Sequence, residues 1–403
     1  MAISMWGRVL LVLAAAQLGV AGCSTPGRLP AVPASAALKA GPALGPLRFL
    51  VSRESESFAA EARSALAKEQ AWLASQGKAG DLPPAYFLAI SGGGDNGAYG
   101  AGFLNGWTAS GTRPEFKVVT GISTGALIAP FAFVGPKYDH VLQKVYTTTA
   151  QKDIFKKRGI AAWIFGDSMA DTRPLASVIE SYVTRAFLDE VAAEYAKGRI
   201  LLVGTTNMDS LEPVIWNMTA IAASQDPRAV PLFRSILLAS ASIPGAFPPV
   251  MIEVQLDGAK YQEMHVDGGT IAQVFLYPPS VSIAGAPERK RVAYIIRNAR
   301  LDPDWASTER RTMTIAMRAI DSLTRTQGIG DLYRIYSITQ RDGIDFNLTF
   351  IPPTFTVPHT EQFGTAYMRA LYDVGFEAAK SGYQWQKYPP GMEAPVRASP
   401  ATE

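Results

Sequence analysis

Phe116-Lys117-Val118-Val119-Thr120-Gly121-Ile122-Ser123-Thr124-Gly125 runs directly into the apolar stretch Ala126–Phe133. A β-branched run, a Gly-x-Ser-x-Gly turn and an apolar helix, in that order, predict a strand over 116–120, a sharp corner at Ser123 and a helix behind it. Glycines two before and two after the serine relieve crowding at such a corner. The serine hydroxyl is then presented at the strand's C-terminal end, above the positive end of a helix dipole. Pro130 inside that helix predicts a kink.

Upstream, the apolar run Tyr86–Ile90 reads as a buried parallel strand and leads straight into Ser91-Gly92-Gly93-Gly94-Asp95-Asn96-Gly97. A helical pattern follows to about Trp107. A glycine-rich turn between strand and helix exposes backbone N–H groups to an anion, whether a phosphate or the oxyanion of a tetrahedral intermediate. Gly92, Gly94 and Gly97 also fit a dinucleotide fingerprint, which expects an acid at the end of the next strand. That strand ends in Gly121-Ile122-Ser123, and Glu115 lies at its wrong end, so the dinucleotide reading fails there.

Downstream, Met251–Gln255 and Tyr261–Val266 read as a hairpin turning at Asp257-Gly258. Its second strand delivers Asp267-Gly268-Gly269. An Asp-Gly pair alone is an ordinary turn, but beside an elbow and an anion-binding loop it becomes a candidate base. The ordered set Gly-Gly-Gly-x-x-Gly, Gly-x-Ser-x-Gly and Asp-Gly-Gly resembles the patatin-like phospholipase family. The stretch from Ala239 to Pro249 is similar to a further block of that family.

The resemblance implies Ser123 as nucleophile, Asp267 as its partner and Gly92, Gly93 and Gly94 as oxyanion donors, with Thr124 N–H beside them. It further implies hydrolysis of acyl esters of phospholipids, lysophospholipids or neutral lipids, with no metal or other cofactor. One departure stands out: Asn96 occupies the position where the family usually carries Arg or Lys, and Asp95 precedes it. Asp95 is expected to point away from the site and cap the following helix. Asn96 is an auxiliary candidate, since it offers a neutral donor where a cation would steady an oxyanion.

A dyad asks the carboxylate to take the serine proton directly, so the site is expected to bury Asp267 and raise its pKa. The rival is a Ser-Asp-His triad using His359, which stands in the chain order of α/β-hydrolases but in a proline-marked loop. His265, two residues before Asp267 on the same strand face, is a second auxiliary candidate. A lipid-binding lipoprotein with impaired chemistry is the remaining alternative, and Asn96 is its support.

Composition fits one large globular core: 403 residues, 48% hydrophobic, 18% charged, net charge +3. That balance, with no long basic run, excludes a nucleic-acid partner. Three scattered His and one Cys make no metal site. The lone Cys23 follows a secretory-type segment, residues 1–22, whose apolar part is too short to span a bilayer. Val20-Ala21-Gly22-Cys23 resembles the lipobox of bacterial lipoproteins. It implies a diacylated Cys23 holding the protein to a membrane surface, with Ser24 pointing to the outer membrane, periplasmic side. Residues 23–47, rich in Ala, Pro and Gly, read as a tether.

A helix is expected over 54–75, strands over 198–206, 213–219, 291–297 and 346–351, and helices over 231–238, 361–380 and, as a pair, 306–340. Trp163-Ile164-Phe165-Gly166 is an apolar cluster of core or lipid-contact type. The expected fold is a three-layer α/β/α arrangement with a largely parallel central sheet, in one catalytic domain over residues 48–388 before a disordered tail, 389–403.

Overall fold

The computed structural model describes residues 27–392 apart from 52, 81, 160–165, 304 and 306. The proposed signal segment, Cys23, most of the 163–166 cluster and the chain after residue 392 lie outside the described residues.

The main sheet has strands β1 (Arg48–Leu50), β2 (Ala85–Ile90), β3 (Val118–Ile122), β4 (Ile200–Asn207), β5 (Glu212–Asn217), β6 (Val250–Leu256), β7 (Ala259–Asp267), β8 (Arg291–Arg297) and β9 (Asp345–Phe350). They lie in the order β1-β5-β4-β3-β2-β8-β9, with the β6–β7 hairpin joined to β4. From β4 to β9 every pairing is parallel, and β5, β1 and the hairpin add antiparallel pairings. Strands buried on both faces need apolar side chains on both. In β2, accordingly, Leu88 and Ile90 join one core layer while Phe87 and Ala89 join the other.

The longer helices are α1 (Ser55–Ser75), α2 (Gly97–Ala109), α3 (Thr124–Val134), α4 (Asp139–Thr148), α5 (Arg173–Tyr182), α6 (Arg185–Ala196), α7 (Ala229–Ser240), α8 (Thr312–Arg341) and α9 (Thr365–Lys380). One face of the sheet carries α2, α3, α4, α7 and α9, and the other carries α8, with α1 over the β1 edge. The α2–α9 contact is very close: a Cβ on Gly102 or Gly106 would stand 2.0 Å from the carbonyl oxygens of Tyr372 and Phe376. The three-layer, largely parallel α/β architecture is therefore as expected.

Two elements differ from the sequence expectation. Residues 312–341 form one helix rather than two, and Gly328 in its middle packs on the Arg297 guanidinium, which a Cβ would meet at 2.3 Å. Residues 27–47 do not stand free as a tether. Arg28 grips Asp209 through both carboxylate oxygens, Gln262 N–H donates to Pro30 O at 3.1 Å, and Gly41 bridges Gln255. The segment thus lines the β6–β7 hairpin, whose polar edge supplies the partners that its proline-broken backbone needs.

Candidate active site

Two consecutive residues of β4 explain why two distant parts of the chain meet. β3 ends with Ile122 paired to Gly204, and β7 takes over on the same edge with Asp267 paired to Thr205. Ser123 and Asp267 are thereby delivered to one spot. Ser123 sits at φ 56°, ψ −126°, a strained conformation for a residue with a side chain. Its N–H donates to Ser240 Oγ at 3.0 Å, and Ser240 Oγ donates to Gly204 O at 2.7 Å, which fixes the corner to β4 and α7. The flanking Gly125 is required by crowding, since a Cβ there would stand 2.2 Å from Ile90 O.

Asp267 is buried beside Ser123, and its carboxylate accepts a hydrogen bond from Gly269 N–H at 2.7 Å. Burial pushes its pKa up to about 7, and the neighbouring Ser123 and Gly269 N–H oppose that rise without cancelling it. A carboxyl poised near neutrality is a far better proton acceptor than an exposed aspartate.

The glycine loop is braced from below. Asn298, one residue beyond β8, bonds Ser91 O and Gly100 N–H through its side chain, and its own N–H donates to Ser91 Oγ. Gly93 has φ +156°, and a Cβ there would lie 2.1 Å from Asn298 O, so only glycine fits. The N–H of Gly92 donates to Gln273 O at 3.0 Å. Gly92 therefore cannot serve as an oxyanion donor, which corrects the sequence expectation. The N–H groups of Gly93, Gly94 and Thr124 have no hydrogen-bond partner among the described residues, and Gly94, Ser123 and Thr124 line one cavity.

That cavity is overwhelmingly apolar. From Ser123 it runs between Leu127 and Phe131 of α3, Leu142 and Val145 of α4, and Ile179 of α5. Phe363 and Phe247 also line it.

The histidine candidates do not reach the nucleophile. His265 is fully buried with Nδ1 2.9 Å from Thr205 Oγ1 and Nε2 3.2 Å from Glu263, packed against Trp216. Burial lowers its pKa, with Glu263 opposing. It belongs to a structural network in which Glu263 also pairs with buried Arg48. The shared strand face predicted nearness to Asp267, but the ring turns to these partners. His359 lies with Nε2 2.7 Å from Asp95 and against the Tyr367 ring, away from Asp267.

Asp95 is buried and does not cap α2. Its carboxylate accepts from His359 and from Phe363 N–H at 2.7 Å. Asn96 Oδ1 accepts from Tyr367 OH at 2.7 Å. Asp95 thus ties the loop before α9, and Asn96 the first turn of α9, to the glycine turn. Sequence reasoning missed Phe363, Asn298 and Gln273, which carry no motif of their own.

Residues 88–278 match the family model described as patatin-like phospholipase. No curated protein sequence matches the chain. Among solved structures, VipD from Legionella pneumophila is similar at 12% identity and a TM-score of 0.37, over 76% of this chain and 68% of that one. Human GIVD cytosolic phospholipase A2 is similar at 11% identity and a TM-score of 0.31, over 75% of this chain and 51% of that one.

Proposed function

We propose that this chain, whose residues 88–278 match the patatin-like phospholipase model, cleaves carboxylic esters of lipids through a Ser123 acyl-enzyme with Asp267 as base. The observation that carries the reading is a strained serine at a strand–helix corner, beside a buried carboxyl with its pKa near 7, lining an apolar cavity.

In the acylation step Ser123 Oγ attacks the ester carbonyl while its proton passes to Asp267. The carbonyl oxygen, now an anion, is held by the N–H groups of Gly93, Gly94 and Thr124. Collapse expels the alcohol, which takes the proton from Asp267. Water then attacks the acyl carbonyl, gives its proton to Asp267, and releases the fatty acid as the proton returns to Ser123. The apolar cavity holds the acyl chain.

From the lipobox-like Val20-Ala21-Gly22-Cys23 we also propose a location at the cell envelope. Cys23 carries the acyl anchor, residues 1–22 are removed, and the catalytic domain works on the periplasmic side of the outer membrane. Mass spectrometry of the membrane fraction, with Cys23→Ser as control, tests this: an unmodified Cys23 rejects it.

Release of fatty acid from short acyl esters and from phospholipid vesicles, compared between parent and Ser123→Ala, tests the chemistry. Activity in the parent and none in the variant is expected. A folded parent inactive on both substrates would leave a lipid-binding relative that has lost its reaction.

A further inference from the structure

We infer that Gln273 and Gln327 are positioning residues for the proposed base: two amides, one from the segment after the Asp267 turn and one from α8, clamp Gly269 and so hold the Asp267 carboxylate in place beside Ser123. The inference rests on the Ser123–Asp267 reading for its chemical consequence, and one arm of its test is independent of turnover.

Gly269 has no side chain, yet it grips the base. Its N–H donates to Asp267 Oδ1 at 2.7 Å, so the orientation of this one residue decides how the carboxylate is held. Glycine ranges widely over backbone conformations, and nothing in its own structure fixes that orientation. Its carbonyl does: Gly269 O accepts from Gln273 Nε2 at 2.6 Å. The second N–H of the same amide donates to Gln327 Oε1 at 3.2 Å, and Gln327 Nε2 donates in turn to Ile271 O. Both hydrogens of the buried Gln273 amide are thereby used, as burial demands.

The amide stands close to both members of the dyad. A Cβ on Gly269 would lie 3.0 Å from Asp267 Oδ1 and 3.0 Å from Gln273 Nε2, so carboxylate and amide flank the same α-carbon. A Cβ on Gly92 would lie 3.1 Å from Ser123 Cβ and 3.4 Å from Gln273 Oε1, which puts the amide oxygen near the nucleophile's corner. Neither glutamine lines the acyl cavity.

The anchor of the clamp is α8. Gln327 and Asp331 lie one turn apart on one face of that helix. Buried Asp331 accepts from Gln273 N–H at 2.6 Å and from Val274 N–H at 3.4 Å. Those bonds, and the Gly92 N–H bond to Gln273 O, use only the main chain of Gln273 and survive a change of its side chain. Since α8 lies beyond residues 88–278, the base is held in part by chain outside the family segment.

Loosening the clamp has a definite sign. An N–H aimed at a carboxylate favours its ionised form, and Gly269 N–H works against the burial that raises Asp267. Freeing Gly269 O lets that N–H drift, and the Asp267 pKa rises further. Other charge on the surrounding elements is engaged elsewhere. β3 and β4 carry none, Glu263 and His265 of β7 face each other, and Arg234 of α7 donates to Val183 O. Asp331 pairs with Arg334, and Arg297 of β8 packs on Gly328.

The test takes the full chain with Gln273→Met, Gln327→Met and both together. On a soluble short-chain ester each single variant should lower kcat by roughly tenfold or more with KM unchanged. Each should also move the rising limb of kcat/KM upward by roughly half to one pH unit, since the weakened bond is to a charged group. The double variant should move it no further than Gln273→Met alone, because the two amides act as one unit. A lower melting temperature with the limb unmoved would mean that the glutamines only pack the turn, and overturns the inference. Additive shifts, or a loss confined to KM, overturn it too. If Gln273→Met does not fold, Gln327→Met, at a half-buried position, decides alone. A parent inactive on esters sinks the hydrolase reading, not the clamp. The clamp is then read from the Asp267 carboxyl carbon, by NMR titration of aspartate-labelled protein assigned with Asp267→Asn. A midpoint raised in both variants supports it, and an unmoved one overturns it.

Discussion

His359 is bound to Asp95, not to Asp267: its Nε2 stands 2.7 Å from the Asp95 carboxylate, beside the glycine turn. This separates two mechanisms. His359→Ala should keep activity on a short ester within a few-fold of the parent, because it removes one partly exposed hydrogen bond worth about 1 kcal/mol. Loss comparable to that of Ser123→Ala would restore the triad.

The Asp267 carboxyl, with its pKa near 7, must be ionised to accept the serine proton. The rate constant kcat/KM on a soluble ester should therefore climb with pH and level off above about 7. A profile already flat from pH 5 would reject Asp267 as the base.

Stability should follow the same group with the opposite sense. The folded pKa lies above the ordinary 3.8, so the stabilisation from the protonated carboxyl is complete below the unfolded value and is lost as pH rises toward about 7. Asp267→Asn should be inactive yet melt higher than the parent at pH 8, and the gap should narrow at pH 4. Thermal melts at the two pH values check it.

Gly93→Ala should abolish activity while most of the fold survives. The added methyl would collide with Asn298 O, so the turn must move and two oxyanion donors move with it. Losing one such donor typically costs two to three orders of magnitude in kcat, so an effect under about tenfold would remove this loop from the mechanism.

Phe363→Ala should widen the cavity beside Ser123. The expected signature is a shift of preference toward bulkier acyl groups, read as relative kcat/KM across a series of chain lengths. An unchanged series would mean that Phe363 does not shape the bound state.

Much of this candidate site was legible because each proposed catalytic group sits on a local turn that must use particular residues. Ser123 and Asp267 both announce themselves by the glycines around them. Their meeting was not legible, since it depends on consecutive residues of β4, Gly204 and Thr205, whose sequence says only buried strand. Asp95 was misread for the same reason: a helix cap is a local expectation, whereas its partners lie more than 260 residues away. The Gly92 amide looked like a donor because its own motif could not reveal the Gln273 carbonyl waiting for it. The docked segment 27–47 looked like a tether because weakly apolar chain can still find partners on a polar hairpin edge.

Phe363, which walls the cavity, is pinned to Asp95 across 268 residues. A ribosome delivers the serine corner well before that wall. A chain still being made, or cut short before α9, carries a nucleophile but no finished compartment for a lipid tail. Under the proposed reaction, the acyl compartment is complete only once the segment carrying Phe363 has folded back onto the glycine turn.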